Sequence, residues 1–260
     1  MRVLLYFLIA ICATTVGSLT GMGGGVIIKP ALDLLGGYDA ATIGILSSVT
    51  VFAMAIVSIA KQLRQKTPIP VKTALPLAVG SVVGGTGGER ILKAVIAALG
   101  DNRAVVMTQN ICLGLLIAAV FLYMLKKDKL PTLHRGGFLL SVLAGVLLGF
   151  FSSFLGIGGG PINVALLIFV FSMDTKTATV CSIITILFAQ ISKLASVALA
   201  TGFAPFNLTM LPVMIIGAVA GGWLGAKLNK QLPEKTVEKA FNCVQLVVLT
   251  VCVFNICRNL

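Results

Sequence analysis

The feature that most constrains this chain is a cluster of glycines that occurs twice within apolar sequence. One cluster fills residues 21–25, the other fills residues 156–160, and an offset of 135 residues aligns them. Without gaps, this offset gives ten identities over the thirty aligned positions that begin with the clusters. The sequence therefore predicts a tandem duplication, with repeats at 1–130 and 131–260 and a helix broken at the same place in each.

Composition places the chain in a membrane. Of its 260 residues, 58% are hydrophobic and only 11% are charged, and the mean hydropathy is +1.06. A soluble domain carries about 25% charged residues. We therefore predict an all-α polytopic membrane protein, a single integral membrane domain with 8–10 membrane segments. Its apolar segments lie at 3–20, 26–37, 40–60, 73–98, 104–125, 137–155, 161–172, 175–199, 208–228 and 236–257.

Several classes of function find no support in the sequence. The net charge is +12, but no basic run is long or interleaved with aromatic residues, so we predict no nucleic-acid partner. The six cysteines are scattered and the only histidine, His134, lies in a charged loop, so neither a metal site nor a cofactor is predicted. No nucleotide-binding or hydrolase motif is present, and we predict that the protein is not an enzyme. Residues 1–20 resemble a signal peptide, but the matching segment of the second repeat is internal, so they are predicted to form a membrane helix.

Loop charges constrain how the segments cross the membrane. Basic residues cluster in three loops, within 61–72, 126–135 and 227–239. If the short segments 26–37 and 161–172 both cross, all three clusters face the cytoplasm, both termini lie outside the cell membrane and the two repeats are inverted. If the short segments are re-entrant, eight crossings and parallel repeats follow, and one basic cluster is misplaced. We expect the inverted arrangement.

The glycine clusters are candidate binding sites. Glycines that precede a helix expose backbone N–H groups, which together with the helix dipole favour an anion. Two such sites that face each other near the middle of the membrane would form a two-sided cradle for a small oxyanion. The alternative is that the glycines only permit a buried sharp turn. The predicted binding residues are Gly23, Gly24, Gly25, Gly158, Gly159 and Gly160.

Polar side chains on neighbouring helices could complete this site. A lysine within an apolar segment is costly and points to function by default, although Lys193 lies near a segment end and could extend to the interface. Serine and threonine could equally bond to their own helix. The weaker candidates Gln109 and Asn110 begin another helix. The predicted substrate-binding side chains are Lys29, Ser47, Thr50, Asn163, Ser182, Thr185, Gln190 and Lys193.

Two further patterns have simpler explanations. Asp39 and Asp174 each precede a threonine by three residues, which predicts helix capping, with ion or proton coupling as the alternative. Later in each repeat, small residues recur at helical spacing with an offset of 137, and helix packing is the predicted role. These small residues are Gly80, Gly84, Gly85 and Gly88, with Gly217, Gly221, Gly222 and Gly225.

The two glycine-rich breaks resemble the TauE/SafE family, the sulfite exporter family of membrane permeases. The motifs that carry the resemblance are residues 21–25 with Pro30, residues 156–160 with Pro161, and the Ala-Thr pairs at 41–42 and 178–179. Ala165 stands where the second repeat would match Pro30, which predicts unequal contributions from the two halves.

The resemblance implies secondary transport of small sulfur-containing oxyanions, such as sulfite or organosulfonates, across the cytoplasmic membrane, with export as the expected direction. The expected partners are a small anionic substrate and the lipid bilayer, while homo-oligomerisation is left open. Two other functions stay open from the sequence: an anion channel-like pore, and a membrane scaffold that transports nothing.

Overall fold

The computed structural model of the protein describes residues 2–67, 69–129, 131–133, 137–157 and 159–259. These residues form α-helices and one short 3-10 turn at Lys127–Lys129, and no strand occurs among them. The predicted site residue Gly158 and His134 of the central linker lie outside the described residues. The helices are α1 (Arg2–Thr20), α2 (Gly25–Leu35), α3 (Ala40–Arg64), α4 (Val71–Leu99), α5 (Asn102–Lys126), α6 (Phe138–Phe154), α7 (Pro161–Phe171), α8 (Thr175–Ala200), α9 (Leu211–Gln231) and α10 (Glu234–Asn259).

The predicted all-α membrane fold is confirmed. Within the described ranges, six helices are long and apolar enough to cross a membrane, namely α1, α3, α5, α8, α9 and α10. The shorter apolar helices α6 and α7 have 17 and 11 residues, and α2 also has 11. At about 1.5 Å per residue, α2 and α7 each span about half of a ~30 Å hydrocarbon core. Each repeat therefore contains a half-length helix directly after its glycine cluster.

The two aspartates that follow these half-length helices cap the next helix, as predicted. The Asp39 carboxylate accepts a hydrogen bond from the N–H of Thr42 at 3.4 Å, at the start of α3. The Asp174 carboxylate accepts one from the N–H of Thr177 at 2.9 Å, at the start of α8. An N-terminal cap of this kind satisfies a backbone donor that the helix itself leaves unpaired.

The glycine stripes of α4 and α9 bring helices into close contact, which confirms the predicted packing role. Helix α4 packs along α6, and α9 packs along α1. A Cβ atom at Gly80, Gly84 or Gly88 would overlap the backbone of α6. A Cβ atom at Gly217, Gly221 or Gly225 would come within 3.1 Å of the backbone of α1. The fourth helix of each repeat therefore packs against the first helix of the other repeat.

The basic residues at the ends of several helices lie on one face of the bundle. The ammonium of Lys230, at the end of α9, donates to the backbone oxygen of Gln65 after α3 at 2.8 Å. Lys127, after α5, forms an ion pair with Glu238 near the start of α10. The ends of α3, α5 and α9 thus lie on one face of the bundle.

The opposite face holds the beginning of α1 and the end of α10. The rings of Tyr6 and Tyr38 meet edge to face with centroids 6.1 Å apart, which joins α1 to the loop after α2. The guanidinium of Arg258 donates to the backbone oxygen of Leu34. Asn207, in the loop between α8 and α9, lines a surface cavity with Tyr6 and Tyr38.

Candidate functional site

The two glycine breaks are in direct backbone contact inside the protein. A Cβ atom at Gly25 would overlap the carbonyl of Ile157, and the hydroxyl oxygen of Ser47 lies 2.9 Å from the same point. Gly24 has a φ of 69°, and a Cβ there would press on the carbonyl oxygen of Ala13 at 2.9 Å. Only glycine allows both this conformation and this approach. The two repeats therefore meet at their glycine breaks.

Part of the predicted amide cradle already has acceptors within the first break. The N–H of Gly25 donates to the oxygen of Gly23 at 2.7 Å, and the N–H of Gly23 donates to the oxygen of Gly17 at 3.3 Å. In the second break, the carbonyl of Gly160 accepts from the N–H of Asn163 at 3.1 Å. Anion binding by these amides stays a prediction, and polar side chains supply the clearer unpaired groups.

Lys29 lies in a polar network on the short helix α2, in which the Oδ1 atom of Asp33 has no hydrogen-bond partner among the described residues. Its ammonium is 3.0 Å from the carboxylate of Asp33, one turn further along, and the two side chains are only 2% and 1% exposed. The amide of Asn110 donates to the same carboxylate oxygen at 3.2 Å. The amide of Asn255 donates to the carbonyl of Pro30 at 3.1 Å. The network therefore ties α2 to α5 and α10.

Lys193 has a different environment on the long helix α8. Its ammonium lies 3.8 Å from the carboxylate of Glu89 on α4, within ion-pair range but beyond hydrogen-bond distance. Among the described residues, neither that ammonium nor the Oε2 atom of Glu89 has a hydrogen-bond partner. The two side chains are only 1% and 7% exposed. This ion pair is therefore buried but loosely engaged.

A cavity of about 270 Å³ contains this loose pair. The ammonium of Lys193 lies 3.8 Å from the Cβ position of Gly44, and the stem of Lys29 lies 3.5 Å from that of Gly156. Both lysines thus flank the point where α3 meets the second glycine break. The cavity runs from exposed residues at the α8 end to buried ones at its base, and its lining includes Thr201, Ala97, Lys93, Gln109, Gly44, Gly156, Glu89 and Lys193.

The remaining predicted side chains are buried close to the glycine breaks. Ser182 donates to the carbonyl of Gly21 at 2.6 Å and so joins α8 to the first break. Gln190 donates to the hydroxyl of Ser152 at 3.2 Å. Neither amide atom of Asn163 has a partner within the described part of the chain, and the same is true of the hydroxyl of Ser47.

Two of the predicted threonines bond within their own helix, and Gly159 is confined by a neighbouring side chain. The hydroxyl of Thr50 donates to the carbonyl of Leu46 at 2.6 Å. The hydroxyl of Thr185 donates to the carbonyl of Cys181 at 2.9 Å. Both threonines therefore bond to their own helix, the alternative that the sequence left open. Gly159 adopts a φ of 118°, and a Cβ there would overlap the side chain of Ile186.

Asp33 and Glu89, whose side chains are buried, were not among the residues predicted from the sequence. Asp33 follows Lys29 by four residues, the spacing at which helical side chains meet, so the signal was present. Glu89 lies in the apolar segment 73–98 beside Arg90. Its partner Lys193 comes from the other repeat, and no local spacing connects the two.

A second cavity lies at the basic face. Its position in the second repeat is equivalent to that of the first cavity in the first repeat. It measures about 250 Å³ and lies between the ends of α3 and α9 and the start of α8. The offset of 135 aligns Lys193 with Ser58, and the offset of 137 aligns Glu89 with Ala226. The charged pair therefore belongs to one cavity only. Residues lining the second cavity include Gln62, Lys66, Lys176, Asn229 and Lys230.

Comparison with known proteins agrees with the resemblance seen in the sequence. The family model described as Sulfite exporter TauE/SafE matches residues 6–251. The "Probable membrane transporter protein YunE" of Bacillus subtilis (strain 168) is 23% identical over 275 residues, which cover 95% of this chain and 96% of that protein. No solved structure matches the chain. Because the family model covers nearly the whole chain, the protein belongs to the TauE/SafE sulfite exporter family of membrane transporters.

Proposed function

We propose that this protein is a secondary transporter that carries small sulfur-containing oxyanions, such as sulfite or organosulfonates, out across the cytoplasmic membrane. Membrane transport follows from the family to which the chain belongs. The observation that carries the choice of an anion is the ammonium of Lys193, which lines a cavity without a hydrogen-bond partner in the described structure.

The physical argument starts from the cost of a buried charge. An ammonium at membrane depth loses its hydration, and that cost is compensated only by a close partner or by a ligand. Glu89 is too distant to form a hydrogen bond with Lys193, so the cation retains all its donor capacity. An oxyanion in the cavity would supply the missing acceptors and would lie next to Gly156 of the second glycine break.

Two cavities on opposite faces support alternating access. The cavity with Lys193 and the cavity at the basic face lie at equivalent positions of the two repeats. The contacts between the repeats are equivalent too, because the fourth helix of each, α4 or α9, packs on the first helix of the other, α6 or α1. Inverted repeats that rock about their contact would open each cavity in turn. The glycine breaks, which meet between the repeats, would then form the contact about which the repeats move.

The charge pattern supports an orientation for this cycle. Basic loops mark the cytoplasmic side of a membrane protein. Lys66, Lys230 and Lys127 lie at or near one face, so that face would be cytoplasmic and both termini would lie outside. The cavity that holds Lys193 would accordingly open to the outside in the conformation described.

Flux into liposomes tests the proposal. Purified protein should take up labelled sulfite, thiosulfate or a short organosulfonate saturably, and unlabelled substrate inside should accelerate uptake. Uptake without that acceleration would indicate a channel-like pore. Absence of flux for all three anions, under gradients of either sign and with folded protein, would overturn the proposal.

Substitutions at the glycine breaks provide the matched variants. Gly24→Leu and Gly159→Leu should abolish transport and also lower stability, because each site is confined by neighbouring atoms and has a positive φ, so unfolding is measured on the same preparations. Gly87→Ala is the control, because a Cβ at that helical glycine meets no atom within 4 Å. Normal flux in both leucine variants would show that transport does not depend on the glycine breaks.

A further inference from the structure

The cavity that holds Lys193 contains acceptors as well as a cation. Three polar atoms that line or border it are buried and have no hydrogen-bond partner among the described residues: the ammonium of Lys193, the Oε2 atom of Glu89 and the Oε1 atom of Gln109. As whole residues these are 1%, 5% and 4% exposed. A ligand that satisfies all of them must present negative oxygen to Lys193 and hydrogen to the other two.

The orientation of the Gln109 amide follows from its other contact. Its nitrogen donates to the carbonyl of Phe154 at 3.0 Å, and a carbonyl can only accept. The amide oxygen is therefore the atom left without a partner. Gln109 thus offers an acceptor, and this assignment does not depend on distinguishing oxygen from nitrogen in the amide itself.

Glu89 remains available as an acceptor beside the cation. Its Oε2 atom is 3.8 Å from the Lys193 ammonium, so attraction between the charges persists but no hydrogen bond uses the oxygen. No charged residue occurs on α6, the helix packed along α4, and α5 contributes the uncharged Gln109 to the cavity. The other charged group of the cavity is Lys93, at its half-buried edge.

We propose that this cavity selects oxyanions that carry a hydrogen-bond donor of their own, with Glu89 and Gln109 as the specificity-determining acceptors. The inference rests on the proposed transport function and narrows its substrate class. A hydroxylated sulfonate, or an oxyanion that retains a proton, gives Lys193 its acceptor and Glu89 its donor. A fully deprotonated dianion or an unsubstituted alkyl sulfonate leaves Glu89 unpaired and brings its own negative charge towards it.

The size of the expected preference between the two kinds of anion follows from the cost of leaving a buried acceptor unpaired. Sites built to bond a substrate hydroxyl discriminate strongly against the analogue that lacks it. We therefore expect about a tenfold or greater preference for the donor-bearing anion. Two probes of equal size isolate this effect: 2-hydroxyethanesulfonate, and propane-1-sulfonate, in which a methyl group replaces the hydroxyl.

The test measures uptake of both labelled sulfonates by the full chain in liposomes, with rates and half-saturation concentrations determined separately. Preference for 2-hydroxyethanesulfonate supports the inference. Equal uptake of the two sulfonates overturns the inference but leaves the transporter intact. If neither sulfonate, nor sulfite, crosses in either direction, the proposed function itself fails.

Variants assign the preference to Glu89. Glu89→Ala should lower the ratio between the two sulfonates to about two or less, because the charged acceptor is gone. Glu89→Gln should keep part of the preference, since a carbonyl acceptor remains. The control is Glu234→Gln, because that carboxylate bonds the N–H of Thr175 at 2.6 Å on the basic face, away from the cavity. An unchanged ratio in both Glu89 variants would contradict the assignment.

Discussion

Lys29 and Lys193 are buried to the same degree, 2% and 1% exposed, yet their surroundings differ in kind. Lys29 is 3.0 Å from Asp33, and Asn110 bonds the same carboxylate oxygen. Lys193 is 3.8 Å from Glu89 and lines a cavity with it. The first pair shares a hydrogen bond, although the Oδ1 atom of Asp33 has no partner among the described residues, while the Lys193 ammonium and the Oε2 atom of Glu89 form none. Burial alone therefore does not distinguish the two lysines, whereas their hydrogen bonding does.

The largest expected effect comes from breaking the hydrogen-bonded ion pair of Lys29 and Asp33. Asp33→Asn leaves the Lys29 ammonium buried without its counter-charge, which should lower the free energy of unfolding by about 3–5 kcal/mol. Chemical unfolding in detergent measures this change. The double variant Lys29→Met, Asp33→Leu removes both charges and should recover most of the loss. A single variant as stable as the wild type would mean that the two pairs are not different in kind.

The next effect tests the contact between the two glycine breaks. Gly25→Ala places a methyl group on the carbonyl of Ile157 and should separate the two breaks, with a loss of about 1–3 kcal/mol in unfolding free energy. Transport should fall with it, because Gly156 lines the cavity beside Lys193. Unfolding and flux of the same preparation give both values. Gly87→Ala, in open space, should change neither appreciably; wild-type behaviour of Gly25→Ala would show that the contact is dispensable.

The looser pair of Lys193 and Glu89 should show a different profile, with a large loss of transport and a smaller loss of stability. Lys193→Gln removes the proposed binding cation, and we expect flux to fall by about tenfold or more. The unfolding free energy should fall by about 1–3 kcal/mol, less than in Asp33→Asn, because the substitution leaves Glu89 buried without its counter-charge but breaks a pair that is 3.8 Å apart and shares no hydrogen bond. A destabilisation as large as that of Asp33→Asn would assign Lys193 a structural role instead.

The contrast between the pairs also separates what sequence could predict from what it could not. Helix positions followed from apolar runs and from the caps Asp39 and Asp174, since both signals are local. The partner of Lys193 is Glu89, in the other repeat, and only tertiary structure brings them together. Lysines at membrane depth were recognised as candidates, but their remaining hydrogen-bonding capacity depends on neighbours from several helices. Function at any of these residues remains a prediction.

The smallest expected effect lies at the edge of the cavity. Lys93 lines it on the same helix as Glu89 but is only half buried, so solvent and salt screen its charge. Lys93→Gln should raise the half-saturation concentration for an anion about twofold at low salt, and this difference should vanish at high salt. Measuring uptake at two ionic strengths distinguishes attraction of the anion towards the cavity from direct contact. If the effect of Lys93→Gln matched that of Lys193→Gln and persisted in salt, the binding cation would lie at the edge, and the loose pair with Glu89 would no longer mark the site.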